Sequence, residues 1–261
     1  MILQEELYSN RIFLNAVLPL IKVIIDNNEN LKRGFAGKNA VIQVSAKTEE
    51  EKVGTHFVIE AGEVTVKTGT AEKPDVELQF KSIKSLNDFF KGKSKMLPGI
   101  RGFKHLRLLL AFFKALLKMA AMLGTTDPPA DEKDKRLLVK LYFYLLSAGI
   151  SQLNKAGHPD VSKWAQKSPD RVYAWGVTDQ PDLSAFLRVK AGKTKAARGM
   201  YTRSKPFFTM CFDSVDSALG ILLQKDDMIE STVKKKLIME GAPEYGAQLG
   251  EFMLLVGSYA K

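Results

Sequence analysis

The sequence is poor in the residues that build disulfides and metal sites. It contains one cysteine, Cys211, which excludes a disulfide within the chain and suits a reducing compartment. Three histidines are present, His56, His105 and His158, and no cysteine or carboxylate is spaced to complete a metal site with them. Each histidine is predicted to be structural or exposed, and we expect neither a metal nor a cofactor.

Catalytic motifs are missing as well. No G-x-S-x-G elbow, Walker loop or G-x-G-x-x-G follows a predicted strand. Cys211 alternates with Met210 and Phe212, a pattern typical of a packed strand, and no general base lies nearby in the sequence. The sequence therefore predicts a protein that is not an enzyme.

Long uncharged runs are also absent. None approaches the ~20 residues of a membrane-spanning helix. The opening residues MILQEELYSN carry glutamates where a signal peptide needs basic residues, so we expect no secretion signal. Together with the single cysteine, these features favour a cytoplasmic location.

Acidic residues are scarce in two segments. None lies between Asp88 and Asp127, and none between Asp182 and Asp213. The formal net charge of the 261-residue chain is +10. Such an excess of positive charge favours an anionic partner, whether nucleic acid, a membrane surface or a phosphate-bearing ligand. Tyr201 is the one aromatic residue among the basic residues from Arg188 to Lys205, which argues against single-stranded nucleic acid.

One stretch of the chain is repeated. The segment 76–93 matches 208–225 when Phe80 is set against Phe212, an offset of 132 residues. Both copies predict a strand, a serine N-cap and a short amphipathic helix. A period of this length indicates a duplicated domain. The predicted divisions are a first domain at 1–124, a linker at 125–130 and a second domain at 131–261.

Hydrophobic periodicity predicts an α+β fold in each half. Pro19 is expected to kink or split the first helix near Leu18, and Ala61-Gly62 to form a hairpin turn. The first half is predicted to contain a helix at 2–27, strands at 41–45, 55–60, 63–67 and 76–80, and helices after Ser82 and at 103–123. The second half is predicted to contain a helix at 131–155, a loop at 157–170, strands at 171–176, 184–190, 194–198 and 207–212, a helix at 217–224, a fifth strand at 232–240 and a helix at 243–256.

The helix at 103–123 is unusual because it combines a wide apolar face with a narrow basic stripe. The predicted apolar face is Leu106, Leu109, Leu110, Phe113, Leu116, Leu117, Ala120 and Leu123. The basic stripe is Lys104, Arg107, Ala111, Lys114 and Lys118. Two interpretations stay open, a lid or membrane-facing helix and a domain helix with its basic residues in water.

The ordered set of elements resembles the sterol carrier protein 2 family. The resemblance rests on K-P-D-V-E-L-Q-F-K-S at 73–82, the helix ending at Gly92-Lys93, the K-K-L-I-M-E-G run at 235–241 and the closing helix at 243–256. It covers about residues 30–123 and 165–256. It implies two tandem domains, each a mostly antiparallel, mixed five-stranded sheet with helices covering one face. Pro98 and Gly99 depart from the pattern and are expected to weaken the last strand of the first half.

The family resemblance implies that a fatty acid, acyl-CoA, phospholipid or sterol lies in an apolar cavity between sheet and helices, and is bound or transferred. The expected lining of the first pocket is Phe89, Phe90, Leu97, Phe103, Leu106, Leu110 and Phe113. The expected lining of the second pocket is Phe208, Met210, Phe212, Leu222, Met239 and Phe252. Contact with anionic headgroups or a membrane is expected at Lys104, Arg107, Lys114 and Lys118.

Two other functions stay open on the sequence alone. In one, the pockets are closed and the basic surface binds a protein, a membrane or a nucleic acid, the last being the least favoured. In the other, the protein is an accessory subunit that presents a lipid-like substrate to an enzyme. Salt dependence of RNA binding and the identity of any co-purifying partner separate these possibilities from lipid binding.

Overall fold

The computed structural model describes residues 3–260. Two compact units divide this part of the chain: the first contains the residues up to Ala121 together with Tyr259 and Ala260, and the second runs from Met122 to Ser258. Each unit contains a five-stranded sheet with parallel and antiparallel strand pairs, together with helices. The predicted α+β class with two mixed five-stranded sheets is confirmed.

The first unit begins with helices and then forms its sheet. Its elements are α1 Gln4–Ile12, a π-helical turn Phe13–Val17, α2 Leu20–Asp26, α3 Glu29–Phe35, β1 Ala40–Lys47, β2 Lys52–Glu60, β3 Glu63–Thr68, β4 Val76–Phe80, α4 Ile83–Phe90, β5 Gly99–Arg101, a 3-10 turn Phe103–His105 and α5 Leu106–Leu123. The strand order is β3-β2-β1-β4-β5, with β1 and β4 parallel. β5 spans only three residues, as Pro98 and Gly99 led us to expect.

The second unit has the same succession of strands. Its elements are α6 Glu132–Lys155, α7 Pro159–Lys167, β6 Arg171–Val177, β7 Gln180–Lys190, β8 Lys193–Arg198, β9 Phe208–Phe212, α8 Val215–Leu222, α9 Met228–Val233, β10 Leu237–Glu240 and α10 Pro243–Ala260. The strand order is β10-β9-β6-β7-β8, with β6 and β9 parallel. Read from the other edge, this is the order of the first sheet.

Equivalent positions pair in the same way in the two sheets. Val44 of β1 pairs with Leu78 of β4, and Trp175 of β6 pairs with Met210 of β9. Val44 and Trp175 are 131 residues apart and Leu78 and Met210 are 132 apart, within one residue of the offset that aligns the two halves of the sequence. This correspondence in register is what duplication of one module would produce.

Both hairpins turn on an Ala-Gly pair with a left-handed backbone. The φ angles are 49° and 92° at Ala61 and Gly62, and 46° and 81° at Ala191 and Gly192. Two successive positive φ values match the twist of the flanking strands, as in a type I′ turn. Glycine adopts such a conformation freely, whereas alanine does so at a cost. The hairpin predicted at Ala61-Gly62 is confirmed.

α1 and α2 form one long helix that is interrupted at the predicted place. Pro19 has no N–H and its ring crowds the preceding turn, and the wider π-helical turn before it accommodates this. Within that turn the N–H of Leu18 donates to the carbonyl of Phe13 at 2.9 Å. By length and composition Gln4–Asp26 is apolar enough to cross a membrane, but 78% of its apolar window is buried inside the structure. Such burial is typical of a core helix.

A buried polar network lies on one face of the first sheet. Glu77 Oε1 accepts hydrogen bonds from Gln43 Nε2 at 2.9 Å, Ser45 Oγ at 2.8 Å and Lys52 Nζ at 2.7 Å. Burial by itself would raise the pKa of Glu77, but these hydrogen bonds and the charge of Lys52 outweigh it and lower the pKa. In the second sheet Thr209 occupies the equivalent position, so the buried charge is specific to the first unit.

Two segments of the second unit differ from their predictions. Residues 157–170, predicted as a loop, contain α7, and Pro159 occupies its first turn, where a missing N–H carries no cost. Residues 232–240, predicted as one strand, divide between the end of α9 and β10. Asp227 caps α9 by accepting a hydrogen bond from the Glu230 N–H at 2.9 Å. α3 is a further helix that the apolar pattern does not predict.

Candidate functional site

α5 packs one of its faces into the first unit. The ring of Phe112 lies 5.0 Å from the ring of Phe57 on β2, centroid to centroid. Gly34 on α3 permits a close approach, because a Cβ atom at that position would lie only 2.7 Å from the Cβ of Ala111. The buried face consists of Leu108, Leu109, Ala111, Phe112, Ala115, Leu116, Met119 and Met122.

The opposite side of α5 carries a second apolar surface, which is exposed. Leu106 and Leu110 are each 52% exposed, Leu117 is 66% exposed, and Phe113 is half-buried between them. Their spacings of four, three and four residues align them along one line of the helix. We call Leu106, Leu110, Phe113 and Leu117 the α5 apolar stripe. Exposed leucines in a continuous line are uncommon on a surface that faces only water.

This geometry corrects the apolar face that periodicity predicted for the helix. Leu109 and Leu116 are buried, whereas Leu106, Leu110 and Leu117 are exposed. The predicted single face is therefore divided lengthwise, with one edge buried and the other edge exposed. Leu108, Phe112, Ala115 and Met119, which the prediction left out, form much of the buried side.

The segment before α5 adds further exposed apolar side chains. Met96, Leu97 and Phe103 are each more than half exposed. Gly102, with φ 90°, brings the chain close to β4, since a Cβ atom there would lie 2.0 Å from the carbonyl oxygen of Asp75. The start of α5 is thereby held against the sheet while the side chains around it point into solvent.

Basic residues flank the α5 apolar stripe. Lys104, Arg107 and Lys114 are exposed, and Lys118 is half-buried. Within residues 3–260, no carboxylate forms an ion pair with Lys104, Arg107 or Lys114. Arg107 and Lys114 each follow a stripe residue by one position, which places them about 100° around the helix from it. The helix thus presents a line of leucines bordered on one side by positive charge.

The two predicted pocket residues on α4 lie in an aromatic cluster. Phe89 and Phe90 are half-buried. Their ring centroids lie 5.5 Å apart, Phe89 lies 5.3 Å from Phe80, and Phe90 lies 5.4 Å from Phe13. These rings stack on β4 and the π-helical turn. Of the remaining predicted residues of this pocket, Leu97, Phe103, Leu106 and Leu110 are exposed, so the structure does not gather the full set into one enclosed space.

The predicted residues of the second pocket lie in the core of the second unit. Phe208, Met210 and Phe212 on β9 are fully buried, and Phe252 on α10 is buried. The remaining two members of the set are half-buried: Leu222, the last residue of α8, and Met239 on β10. Gly246 allows α10 to pack closely, because a Cβ atom there would lie 2.5 Å from the sulfur of Met239 and 3.1 Å from the ring of Phe208. Phe208 and Met239 thus pack against α10, whereas Phe212 stacks on Phe143 of α6 with ring centroids 6.0 Å apart.

The part of the chain that the structure describes contains no cluster of metal-ligating side chains. Among residues 3–260, no group of three or more His, Cys, Asp or Glu side chains is arranged to hold an ion. The thiol of Cys211 is half-buried and lies 3.5 Å from the hydroxyl of Thr178. The surface with the most distinctive chemistry in the first unit is therefore the α5 apolar stripe with its basic border.

Known proteins similar to this chain are found among solved structures. No family model and no curated sequence matches it. A structure described as "UbiJ-SCP2 Ubiquinone synthesis protein" is 15% identical, with a TM-score of 0.28, over 45% of this chain and 96% of its own. A double mutant of the sec-alkyl sulfatase PisA1 is 19% identical, with a TM-score of 0.31, over 58% of this chain and 23% of its own.

The description of the first structure contains the abbreviation SCP2, which stands for the sterol carrier protein 2 family that the sequence resembles. At TM-scores of 0.28 and 0.31, however, neither similarity establishes a fold family or a function for this chain. This chain also spans less than a quarter of the alkyl sulfatase. The function has to be argued from the side chains themselves.

Proposed function

We propose that this protein binds lipid, and that the α5 surface of the first unit docks on anionic lipid surfaces. The observation that carries the proposal is the α5 apolar stripe, a line of exposed leucines on the side of the helix opposite its buried face. A helix with one face in the core and a second apolar face bordered by Lys and Arg has the composition of an interfacial helix. The role proposed is one of binding and not of catalysis.

The apolar contribution is large enough to matter. Full burial of one leucine or phenylalanine side chain is worth ~1.5–3 kcal/mol. The three exposed stripe leucines and the three exposed residues before α5 each present half or more of their surface. Their entry into a lipid interface would contribute on the order of 5 kcal/mol before the cost of association is subtracted.

The charge of the surface selects the kind of lipid. A Lys or Arg near an anionic membrane contributes about 1 kcal/mol. Lys104, Arg107, Lys114 and Lys118 are the four basic residues of this surface, and the segment from Phe89 to Thr126 contains no acidic residue. Neutral lipid would engage the leucines alone. Anionic lipid would engage both the leucines and the cations, so it is the preferred surface.

Vesicle co-sedimentation of the full chain tests the proposal. We expect binding to vesicles of phosphatidylcholine and phosphatidylserine in a four-to-one ratio, and at least tenfold weaker binding to phosphatidylcholine alone. Added salt is expected to weaken binding to the anionic vesicles without abolishing it, because the leucines are insensitive to screening. Equal binding to both vesicle types, or none to either, would contradict the proposal.

Three further roles remain predictions. Either unit could hold a single lipid molecule, and the protein could transfer that lipid between membranes or present it to an enzyme. The aromatic cluster around Phe89 and Phe90 supports an apolar ligand in the first unit, because its rings are only partly buried. Denaturing extraction followed by mass spectrometry tests this form of the hypothesis. A lipid recovered in stoichiometric amount would support it, and repeated absence of any lipid would reject it while leaving surface docking intact.

A further inference from the structure

The second unit contains a cleft that no pattern in the sequence predicts. It has a volume of about 460 Å³ and lies between α7, the start of β6 and α10. This volume falls within the ~300–1,000 Å³ of typical small-molecule sites. The side chains that define its chemistry are Lys163, Trp164, Lys167, Arg171, Tyr245 and Phe252.

The floor of the cleft is aromatic. Trp164 and Phe252 are buried, with ring centroids 5.1 Å apart in an edge-to-face arrangement. Tyr245 packs in the same way against Phe207 at 4.8 Å. Rings fixed by one another in this manner provide a rigid apolar surface that loses little freedom when a ligand lies on it.

One cation is held in place by these rings. The guanidinium of Arg171 lies 4.0 Å from the ring centroid of Phe207 and 5.1 Å from that of Tyr245. One of its N–H groups also donates to the Tyr245 hydroxyl at 3.4 Å. Cation–π contacts orient a guanidinium without neutralising its charge. Arg171 is therefore positioned and still able to bind an anion.

Two further cations line the same cleft. Lys163 and Lys167 lie one helical turn apart on α7. Two acidic side chains, Asp160 and Glu251, also border the cleft. Over the described part of the chain, neither of these carboxylates comes within ion-pairing distance of a cleft cation. Arg171 and the two exposed lysines therefore line the cleft without an ion pair to either carboxylate.

Behind the floor lies a buried hydroxyl. Tyr173 is 1% exposed, and its ring lies 5.2 Å from Trp164 and 6.5 Å from Tyr245. Among the residues that the structure describes, no group forms a hydrogen bond with its hydroxyl. Burial of a hydroxyl without a partner costs ~1–3 kcal/mol, and such groups usually have a water or ligand as partner.

The first unit has no counterpart of the cationic anchor. Arg171 is the first residue of β6, and the first residue of β1, which is equivalent in the strand pairing, is Ala40. The side chain of Ala40 is buried and carries no charge. The chemistry of the cleft is thus a property of the second unit and not of the shared architecture.

We propose that this cleft binds a small organic anion, in which one carboxylate, phosphate or sulfonate group is joined to a flat apolar body. The anionic group lies among Arg171, Lys163 and Lys167, and the apolar body lies on Trp164 and Phe252. Asp160 and Glu251 keep the net charge of the site low, which disfavours polyanions. The inference concerns the second unit alone and does not rest on lipid docking by the first.

Two matched probes test the proposal on the full chain. Anilinonaphthalene sulfonate carries the anionic group, and N-phenylnaphthylamine has the same rings without it. We expect saturable quenching of tryptophan fluorescence by the sulfonate, with Kd at least tenfold lower than for the uncharged probe. Inorganic phosphate alone is expected to compete weakly. Equal affinity for the two probes would overturn the assignment.

Variants locate the binding. Replacement of both Lys163 and Lys167 by Gln is expected to raise Kd for the sulfonate by about tenfold, and Arg171→Met by a similar factor, with Kd for the uncharged probe changed less than threefold. Lys155→Gln, an exposed lysine outside the cleft, is the matched control and should leave both values unchanged. Unaltered sulfonate binding in the Lys163, Lys167 and Arg171 variants, with an unfolding temperature equal to that of the wild type as evidence of folding, would reject the site.

Discussion

Replacement of Leu110 and Leu117 by glutamine should weaken binding to anionic vesicles by about 30-fold. Both side chains are at least half exposed, so each contributes ~1 kcal/mol when it enters a lipid interface, and the pair contributes about 2 kcal/mol. At ~1.4 kcal/mol for a factor of ten, this loss corresponds to roughly 30-fold in the partition coefficient. Because the replaced surface already faces water, the stability of the folded protein should change by less than ~0.5 kcal/mol.

Co-sedimentation with phosphatidylserine-containing vesicles measures the partition coefficient, and thermal unfolding measures the stability. The matched control is Leu254→Gln on α10, where the leucine is 60% exposed but lies outside the α5 surface. The control should bind vesicles as the wild type does. If the control variant loses as much binding as the double variant, general hydrophobicity and not the α5 apolar stripe would explain docking. If the double variant binds as well as the wild type, the stripe is not the docking surface.

Three further predictions concern charge, buried polarity and backbone fit. Replacement of Arg107 and Lys114 by Gln should weaken binding to anionic vesicles by about 2 kcal/mol and flatten its salt dependence, with binding to neutral vesicles unchanged in the same sedimentation assay. Glu77→Gln should cost about 2 kcal/mol of stability in urea unfolding. Because folding lowers the pKa of Glu77 from 4.5, its contribution is present above that value and is lost as pH falls through the folded-state pKa, so wild type and variant should converge in acid. Gly102→Ala should lower the unfolding temperature strongly, because the added Cβ would meet the carbonyl oxygen of Asp75 at 2.0 Å; an unchanged temperature would show that the turn can relax.

Local signals were sufficient where one side of an element faces water and the other faces the core. The strand at Val76–Phe80 has the predicted bounds, and Ser82 caps the helix after it by accepting a hydrogen bond from the Ser85 N–H at 3.1 Å. Pro19 interrupts its helix beside Leu18 as predicted. In each case the physical constraint lies within a few residues of the signal.

The sequence predictions fail where one pattern is compatible with two kinds of secondary structure, as at a proline or in a short alternation of apolar and polar residues. Pro159 was interpreted as a loop residue, yet proline is also favoured in the first turn of a helix, and Val161, Trp164 and Ala165 supply the buried face of α7. Val233 alternates with polar neighbours as a strand residue would, but Asp227 caps a short helix that ends there. Tertiary burial decides such cases, and it is not visible in a short window.

The orientation of α5 could not be predicted from its sequence. A helix that is apolar on most sides has no single direction of maximum hydrophobicity, so periodicity cannot say which side faces the sheet. Ala111 was placed in the basic stripe, but it is buried because Gly34 on α3 leaves room for it. The contact between Gly34 and Ala111 joins residues far apart in the chain. It fixes which side of α5 is buried, and therefore which leucines are exposed. The cleft of the second unit was missed for a related reason, since Arg171 and Tyr245 come together only through the fold.

Fluorescence of a probe on the α5 apolar stripe tests lipid docking most directly. A polarity-sensitive fluorophore attached at Leu117→Cys, in a chain whose native thiol is removed by Cys211→Ser, reports the environment of that position alone. We predict a blue shift and increased intensity on vesicles that contain phosphatidylserine, with quenching by nitroxide-labelled lipid and a much smaller change on phosphatidylcholine vesicles at the same concentration. A probe that stays in water while the protein sediments with the vesicles would contradict docking through α5.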